Sequence, residues 1–295
     1  MTCTFKTMGV MNITPNSFSD GGIHQEFSSL QSKITSLSSK GHFIFDFGAE
    51  STAPFNEAIS SEVEKQRLTP LFEYLCSNEK LTRSLTLSLD SYHYETVTWF
   101  FRGLRDKARV SPQNLIWNDV SGQWDTLVKE YFKEFPLSPY IYSHNLAPQR
   151  ELTSSHMEYV DEDLDIFSHI SSYFLEIGED LRVNKISNPI YLDPCFGFSK
   201  TYEQNWDLIH RFSDLTQAVP GANWIIGLSK KSFLRRFLGE QLKRELPKEE
   251  ALIKSEWLHY ELIKRILNCK ICSSHAKEII FRVHDSDIVD LAKAQ

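Results

Sequence analysis

The segments Asp193-Pro-Cys-Phe-Gly-Phe-Ser-Lys200 and Gly227-Leu-Ser-Lys-Lys-Ser232 each follow an apolar stretch of the kind that forms a buried strand. These two stretches are Asn188-Pro-Ile-Tyr-Leu192 and Trp224-Ile-Ile226. An acid therefore ends one predicted strand, and a lysine pair follows the other. Enzymes with parallel sheets collect polar side chains in this way at the carboxyl edge of the sheet.

The same arrangement recurs along the whole chain. Polar residues end five further apolar stretches, Met8-Gly-Val-Met-Asn12, Phe43-Ile-Phe-Asp-Phe-Gly48, Leu85-Thr-Leu-Ser-Leu-Asp90, Leu115-Ile-Trp-Asn-Asp119 and Ile280-Phe-Arg-Val-His-Asp285. The predicted strands cover residues 5–11, 42–47, 85–89, 114–117, 139–142, 189–192, 224–227 and 279–283. Helical periodicity lies between them, most clearly over residues 165–181 and 202–216. This alternation predicts parallel strands joined by right-handed crossovers, and eight strand candidates favour a closed (β/α)8 TIM barrel.

Length and composition fit one such barrel. The chain has 295 residues, a length typical of a single barrel domain, which we expect to span residues 1–295. Hydrophobic residues make up 41% of the chain and include 20 Phe, enough to fill a large core. Residues 145–163 and 241–255 are polar and lack an apolar period, so they are predicted to be surface excursions.

Charge and cysteine usage narrow the functional classes. The net charge of -7 argues against a broad nucleic-acid surface, so an anionic substrate would need local cations. No stretch approaches the length of a membrane span, and residues 1–6 contain no long apolar run, so a cytoplasmic protein is expected. Five scattered cysteines make a disulfide framework improbable.

Cys269-Lys-Ile-Cys272, followed by His275, has two interpretations. The spacing is that of half a zinc site or of a redox pair. The chain has no second cysteine pair to complete a structural zinc site, and no thioredoxin-like context surrounds this one. We therefore favour two small residues that end a helix over residues 256–268.

The strand-end segments, taken together and in order, resemble dihydropteroate synthases. The resemblance is carried by Met8-Gly-Val-Met-Asn-Ile-Thr-Pro-Asn-Ser-Phe-Ser-Asp-Gly-Gly22, Asp46-Phe-Gly-Ala-Glu-Ser-Thr-Ala-Pro54, Ser88-Leu-Asp90, Asn118-Asp-Val-Ser-Gly122, Asp193 to Lys200, Gly227 to Ser232 and Arg282-Val-His-Asp285. It covers nearly the whole chain. The broader pterin-binding family, which includes methyltetrahydrofolate methyltransferases, shares the barrel and the acids but does not usually share the lysine motif.

The resemblance implies a pterin site built from Asp90, Asn118, Asp193, Lys231 and Arg282. A carboxylate matches the N–H donors along the 2-amino-4-oxo edge of a pterin, and a guanidinium can lie over a flat ring. Asp193 would bind the donor edge while Asp90 and Asn118 bind the rest of the ring. For any single acid, capping of the following helix is an equally good explanation, but the joint pattern favours a site.

The resemblance also implies a pyrophosphate end that uses Mg²⁺. Asn12 offers an oxygen of the hard type that Mg²⁺ accepts, with water filling the remaining positions. Arg282 and His284 would donate to the phosphates from the last strand, and Thr52 from the loop after the second. Asn and Thr are also common turn residues, which is the alternative explanation for Asn12 and Thr52.

The implied reaction transfers a pterinylmethyl group from dihydropterin pyrophosphate to p-aminobenzoate and releases pyrophosphate. The predicted catalytic residues are Lys231, Asp90, Asp193 and Arg282. The carboxylate of p-aminobenzoate would bind at Ser232, at the start of a helix. Phe198, Pro54 and the stem of Lys231 would line its ring. The resemblance further implies a homodimer formed through outer helices late in the barrel.

Departures from the family pattern leave alternatives open. The family usually has Asp where Asn16 stands and Arg where Ala53 stands, and these two loops close over the reacting carbon. It usually has Gly at Cys195, Arg at Lys230 and Met at Ser143. The chain can therefore be an active synthase, or a divergent pterin-binding homologue with weak, altered or no transferase activity. A methyltetrahydrofolate-type methyltransferase is the third alternative, but the chain contains no cobalamin module.

Overall fold

Eight parallel strands close into a barrel, in which β1 pairs with both β2 and β8. A computed structural model describes residues 3–13, 23–51 and 57–294 of the chain. The strands are β1 (Thr4–Asn12), β2 (Ile44–Gly48), β3 (Thr86–Asp90), β4 (Leu115–Asp119), β5 (Tyr140–Ser143), β6 (Ile190–Asp193), β7 (Asn223–Ile226) and β8 (Glu278–Val283). Each predicted strand is present, and the predicted (β/α)8 barrel is confirmed.

Helices follow the strands and cover the outside of the barrel. They are α1 (Ile23–Ser39), α2 (Ser61–Ser77), α3 (Glu79–Thr82), α4 (Tyr94–Ala108), α5 (Thr126–Glu134), α6 (Ile166–Val183), α7 (Tyr202–His210), α8 (Phe212–Ala218), α9 (Ser232–Leu242), α10 (Lys248–Leu267), α11 (Lys270–His275) and α12 (Asp287–Lys293). The helix predicted over residues 165–181 is α6. The helix predicted over residues 202–216 is divided into α7 and α8, because Arg211 leaves helical geometry with φ -100° and ψ 15°. Within the described ranges, no helix has both the length and the apolarity to cross a membrane.

Strand alternation determines which side chains face the barrel axis. Successive side chains on a strand point to opposite faces. One buried cluster contains a residue from each of five strands, Met8, Ile116, Ile141, Ile225 and Ile280, and it fills the barrel interior. Two positions further along β8 and β4 lie Arg282 and Asn118, which therefore also face inward at the carboxyl end.

Residues 145–163 depart from the predicted surface excursion. They contain a 3-10 segment, Arg150–Tyr159, with a kink at Ser155. Arg150, Thr153 and His156 are buried in it at three-residue steps, the repeat of a 3-10 helix. The prediction is wrong here because polar side chains in this segment are buried against polar partners, which a search for apolar periodicity cannot detect.

The second predicted excursion, residues 241–255, is only partly correct. Residues 241–245 are exposed, but α10 begins at Lys248 and continues to Leu267. Ser255 is fully buried in it. The exposed charged residues at the start of this helix conceal its period in the sequence.

Arg150 fastens the 3-10 segment to the ends of the strands. Its Nη1 donates to Asp119 Oδ2 at 2.7 Å and to the backbone oxygen of Tyr92 at 3.2 Å. Its Nη2 donates to Asp125 Oδ2 at 3.0 Å, and its guanidinium lies 5.3 Å from the ring centroid of Trp117. Asp119 is fully buried. The segment is thus held by a buried ion pair.

We expect Arg150→Met to lower the free energy of unfolding by about 3 kcal/mol, because it leaves the buried Asp119 carboxylate without its cation. Arg182→Met is the matched control, since Arg182 pairs with Glu179 on an exposed helix surface, and we expect a loss below about 1 kcal/mol there. Urea denaturation followed by circular dichroism measures both. Equal losses for the two variants would contradict the buried ion pair as a stabilising element.

Candidate active site

A cleft of about 340 Å³ opens at the carboxyl ends of the barrel strands. The predicted site residues that the structure describes all line it: Asn12, Asp90, Asn118, Asp193, Phe198, Lys231, Ser232, Arg282 and His284. Thr52 lies outside the described residues, as do Asn16, Ala53 and Pro54. The barrel thus brings together side chains that are far apart in the sequence, and their roles in binding or catalysis stay predictions.

Arg282 forms the floor of the cleft together with two carboxylates. Its Nε donates to Asp46 Oδ2 and its Nη2 donates to Asp90 Oδ2, both at 2.6 Å. Asn118 Nδ2 donates to the same oxygen of Asp46 at 3.1 Å. Asp46 is fully buried, whereas the Asp90 side chain is 20% exposed. Arg282 is therefore fixed in orientation from two neighbouring strands.

The floor has more acceptors than donors. Two carboxylates share one guanidinium, and burial raises the pKa of Asp90 although the charge of Arg282 opposes that rise. Asp46 Oδ1 and Asn118 Oδ1 are buried and have no hydrogen-bond partner among the described residues. Buried acceptors without donors cost free energy. A ligand that brings N–H donors or positive charge would therefore be favoured here.

Asp193 ends β6 beside this floor, and it is 7% exposed. Its Oδ1 accepts a hydrogen bond from the backbone N–H of Cys195 at 2.7 Å. Burial raises the pKa of Asp193, and this hydrogen bond opposes the rise, as do Lys231 and Arg282. Cys195 itself has a φ of 52°, a left-handed conformation that favours glycine. That geometry suits the Gly that the resemblance leads us to expect where this chain has Cys.

Lys200 holds the loop after β6 in place. Its buried Nζ donates to three backbone oxygens, those of Phe198 at 2.9 Å, His144 at 3.1 Å and Cys195 at 3.3 Å. Burial lowers its pKa to about 8. The lysine that ends the first quoted segment is thus a structural residue that orders the loop carrying Phe198.

Phe198 forms an aromatic wall of the cleft. The ring of His156 stacks on it with centroids 4.1 Å apart and planes at 18°, and Lys231 Nζ lies 4.9 Å from its centroid. His156 Nδ1 accepts from the backbone N–H of Ser199 at 3.2 Å. His156 is fully buried and also lines the cleft. The wall is therefore supported by the 3-10 segment.

Lys231 lies between the floor and this wall. It immediately precedes α9, whose first residue is Ser232. Gly197 has a φ of 83°, and a Cβ there would lie 3.5 Å from Lys231 Cδ, so the loop passes close to the lysine stem. Burial lowers the pKa of Lys231, and the charge of Arg282 adds to that effect. Lys230, by contrast, is exposed and has a φ of 60°.

His284 lies directly after β8 and lines the cleft. Its Nδ1 lies 2.9 Å from Ser229 Oγ, and Lys33 Nζ donates to its backbone oxygen at 3.4 Å. Burial lowers its pKa to about 3, and the charges of Lys230 and Arg282 add to the shift. The imidazole is therefore neutral at physiological pH.

Asn12 fits the predicted metal ligand in chemistry and position. It ends β1, is exposed, and lines the cleft. A neutral amide oxygen suits Mg²⁺, which usually keeps several waters and shares its coordination with substrate phosphates. Another His/Asp group, His42 with Asp287 and Asp290, lies outside the cleft lining. There Lys40 already bonds both oxygens of Asp287.

Four residues of this site were missed at the level of sequence. Asp46 appears within a quoted motif without a role, yet the alternation along β2 could have placed it facing inward. Glu50 lines the cleft and accepts a hydrogen bond from Tyr92 Oη at 2.7 Å. Arg235 lines it from α9, three residues after a predicted site residue. His156 carried no detectable signal, because it lies in the polar segment that was predicted to be exposed.

The cysteine pair is not at the end of the preceding helix as predicted. Cys269 is the N-cap of the short helix α11, and its Sγ accepts from the backbone N–H of Cys272 at 3.4 Å. Within the described ranges, neither cysteine belongs to a group that could hold a metal ion. The position of the pair at a helix start, instead of a helix end, corrects the prediction.

The closed barrel, with its polar cleft at the carboxyl ends of the strands, defines a barrel enzyme. The chain matches the family model of pterin binding enzymes over residues 8–264. It belongs to that family. The resemblance found in the sequence is thereby confirmed.

The relatives of the chain include synthases and larger bifunctional proteins. It is 32% identical to a mitochondrial folate synthesis bifunctional protein of Pisum sativum, over 80% of this chain and 44% of the relative. It is 28% identical to a dihydropteroate synthase of Streptococcus pyogenes, over 80% of this chain and 79% of the relative. The chain spans less than half the length of the plant relatives.

Solved structures share the fold. A dihydropteroate synthase of Xanthomonas albilineans with 4-aminobenzoic acid superposes with a TM-score of 0.71 at 24% identity, over 99% of this chain and 92% of that chain. This likeness supports the barrel architecture.

The low pKa of His284 predicts that folding stability depends on pH. The unfolded chain takes up a proton on this residue near pH 6.5, whereas the folded protein does not do so until about pH 3. The stability that the neutral His284 contributes is therefore fully present above pH 6.5, and it falls as the pH is lowered through this window.

We expect the wild type to lose stability relative to His284→Gln by at most about 1.4 kcal/mol per pH unit below 6.5. Urea denaturation of both proteins between pH 7.5 and 4.5 measures the difference. Parallel stability curves would show that His284 titrates normally in the folded protein.

Proposed function

We propose that this chain is a dihydropteroate synthase. It would transfer a dihydropterin-methyl group from 6-hydroxymethyl-7,8-dihydropterin pyrophosphate to p-aminobenzoate in folate biosynthesis. The C–O bond to pyrophosphate breaks and its electron pair leaves on the oxygen. The lone pair of the arylamine forms the new C–N bond, and the amine proton passes to solvent. The observation that carries this proposal is the acceptor-rich floor of Asp46, Asp90 and Arg282 beside Asp193.

The floor suits a pterin because donors and acceptors are complementary. A pterin presents N–H donors on its 2-amino edge, and Asp193 and Asn118 offer acceptors in the cleft. The ring acquires positive charge as pyrophosphate leaves. The carboxylates outnumber the guanidinium in the floor, so this charge is stabilised by Asp90 and Asp193. Lys231 would donate to the ring oxygen or a ring nitrogen.

The pyrophosphate end would use Mg²⁺ held by the amide oxygen of Asn12, with water and phosphate oxygens completing its coordination. When bound, this ion would neutralise negative charge that accumulates on the leaving group. His284 is neutral and can donate one hydrogen bond, and Arg282 contributes positive charge nearby. Thr52 is proposed as a further donor.

The acceptor end needs no strong base. Arylamines are weakly basic and nucleophilic without deprotonation, which agrees with the absence of a nucleophile–base pair among the predicted site residues. The ring of p-aminobenzoate would pack against Phe198, and its carboxylate would bind near Ser232. Lys231 lies next to Phe198 and would contact both substrates.

We also propose one domain spanning residues 1–295, a homodimer, and a cytoplasmic location. The barrel incorporates strands from Thr4 to Val283, which supports a single domain. The homodimer rests on resemblance alone, and light scattering would measure it. The net charge of -7 supports a protein that does not bind nucleic acid.

Asp193→Asn should weaken pterin binding without unfolding the protein. An amide replaces one of the two acceptor oxygens with a donor, and we expect a loss of about 2 kcal/mol or more in binding free energy. Calorimetry with the dihydropterin pyrophosphate measures the affinity, and circular dichroism checks the fold. Unchanged affinity in a folded variant would overturn the assignment of Asp193.

The decisive experiment is a turnover assay with dihydropterin pyrophosphate, p-aminobenzoate and Mg²⁺, in which dihydropteroate and pyrophosphate are measured together. Equal amounts of both products are expected, with slower turnover when Mg²⁺ is chelated. Lys231→Ala should lose at least about 100-fold in kcat/KM, because it removes a cation from the reacting centre. Lys230→Ala is the matched comparison and should lose far less, since Lys230 lines the cleft but is exposed.

Two outcomes would contradict the proposal. Tight pterin binding without product would identify a divergent pterin-binding homologue. Equal kinetic losses in the two lysine variants would show that Lys231 has no special position, and would reverse the assumed register of the Ser-Lys-Lys-Ser motif.

A further inference from the structure

Arg235 is a cleft-lining cation to which nothing described above assigns a task. It lies in α9 and is partly buried, and its side chain borders the cleft together with Phe198 and Ser232. Among the described residues, no hydrogen bond or ion pair engages its guanidinium. Arg282, the other arginine in the cleft lining, is held by two carboxylates. Arg235 is therefore available to an anion.

The position of Arg235 on its helix places it at one end of the cleft. Residues three apart on a helix are neighbours on one face, so Arg235 lies beside Ser232. Lys231 immediately precedes α9, and its Nζ lies 4.9 Å from the centroid of the Phe198 ring. The first turn of α9, which carries Arg235, therefore lies on the side of the cleft that the aromatic wall forms.

The shape of the acceptor makes the end of the cleft at the aromatic wall important for binding its carboxylate. In a para-substituted arylamine the amine and the carboxylate lie at opposite ends of a rigid ring. The amine must approach the reacting carbon above the floor, so the carboxylate must point away from it, past Phe198. A guanidinium binds a carboxylate with two parallel hydrogen bonds, a geometry that a lysine cannot reproduce.

We propose that Arg235 binds the carboxylate of the arylamine acceptor and makes the cleft selective for anionic arylamines. This inference rests on the proposed synthase function, and it assigns Arg235 as a substrate-binding residue in addition to Ser232. It predicts that the contribution of Arg235 disappears when the acceptor has no charge.

The test changes the charge on the protein and on the substrate together. Steady-state kinetics are measured for the wild type and for Arg235→Gln with p-aminobenzoate and with its neutral analogue p-aminobenzamide. We expect Arg235→Gln to raise KM for p-aminobenzoate by about tenfold or more while KM for p-aminobenzamide stays unchanged. Arg235→Lys, which keeps the charge without the planar fork, should give an intermediate value.

Arg236→Gln is the matched control. Arg236 is adjacent in sequence and exposed, and its guanidinium is engaged by Glu240 at 2.9 Å and lies over the ring of Tyr202. It should leave the kinetic constants for both acceptors unchanged. Calorimetry should show the same affinity for dihydropterin pyrophosphate in all variants.

The outcomes separate this inference from the proposed function. Equal changes in KM for both acceptors, or unchanged KM for p-aminobenzoate, would overturn it. A weakened affinity for dihydropterin pyrophosphate would assign Arg235 to the leaving group instead. If the wild type shows no turnover, the proposed function fails. Calorimetry of p-aminobenzoate with the enzyme–pterin complex then tests the role of Arg235. Unchanged binding in Arg235→Gln would overturn the inference, and lost binding would support it.

Discussion

The placement of Arg282 between Asp46 and Asp90 is the constraint on which the cleft depends. Its side chain bonds carboxylates that lie 236 and 192 residues earlier in the chain. These partners are on β2 and β3, while Arg282 is on β8, so they meet only because β8 closes the barrel against β1. A buried charge without its partner is costly, so a register that keeps these groups paired is favoured over one that separates them.

Buried ion pairs contribute little net stability, because desolvation offsets their attraction. The floor of this cleft also has one carboxylate more than its guanidinium can neutralise. This extra negative charge further lowers the net contribution of the floor to stability. Its acceptors suit a ligand that supplies donors and positive charge.

The two ends of the cleft are built by different means. Strand residues form the floor, and their positions follow from the barrel register. The aromatic wall instead depends on loops: Lys200 fixes the loop of Phe198 through three carbonyl oxygens, and His156 supports the ring from the 3-10 segment. Arg150 then fastens that segment to Asp119. The end of the cleft at the aromatic wall is therefore the part where we expect substitutions in connecting segments to have the greatest effect.

Two local predictions failed for related reasons. The segment from Arg150 to Tyr159 is polar, and its burial is made possible by partners on β4 and in the loop after β6 that no local pattern reveals. The start of α10 is exposed and charged, so its period is not apolar. Periodicity of apolar residues could not reveal either segment. The first buries polar side chains by pairing them, and the second begins with turns that are exposed to solvent.

The sequence by itself determined the eight strands, the alternation of strand and helix, and nine of the residues that line the cleft. Strand-end polar residues such as Asp90, Asp193 and Arg282 could be predicted because side chains alternate along a strand and parallel strands share one carboxyl edge. The tertiary structure decided which of these groups touch. The pairing of Arg282 with Asp46, the stacking of His156 on Phe198 and the unpaired state of Arg235 among the described residues depend on distances between distant segments, and local chemistry carries no information about those distances.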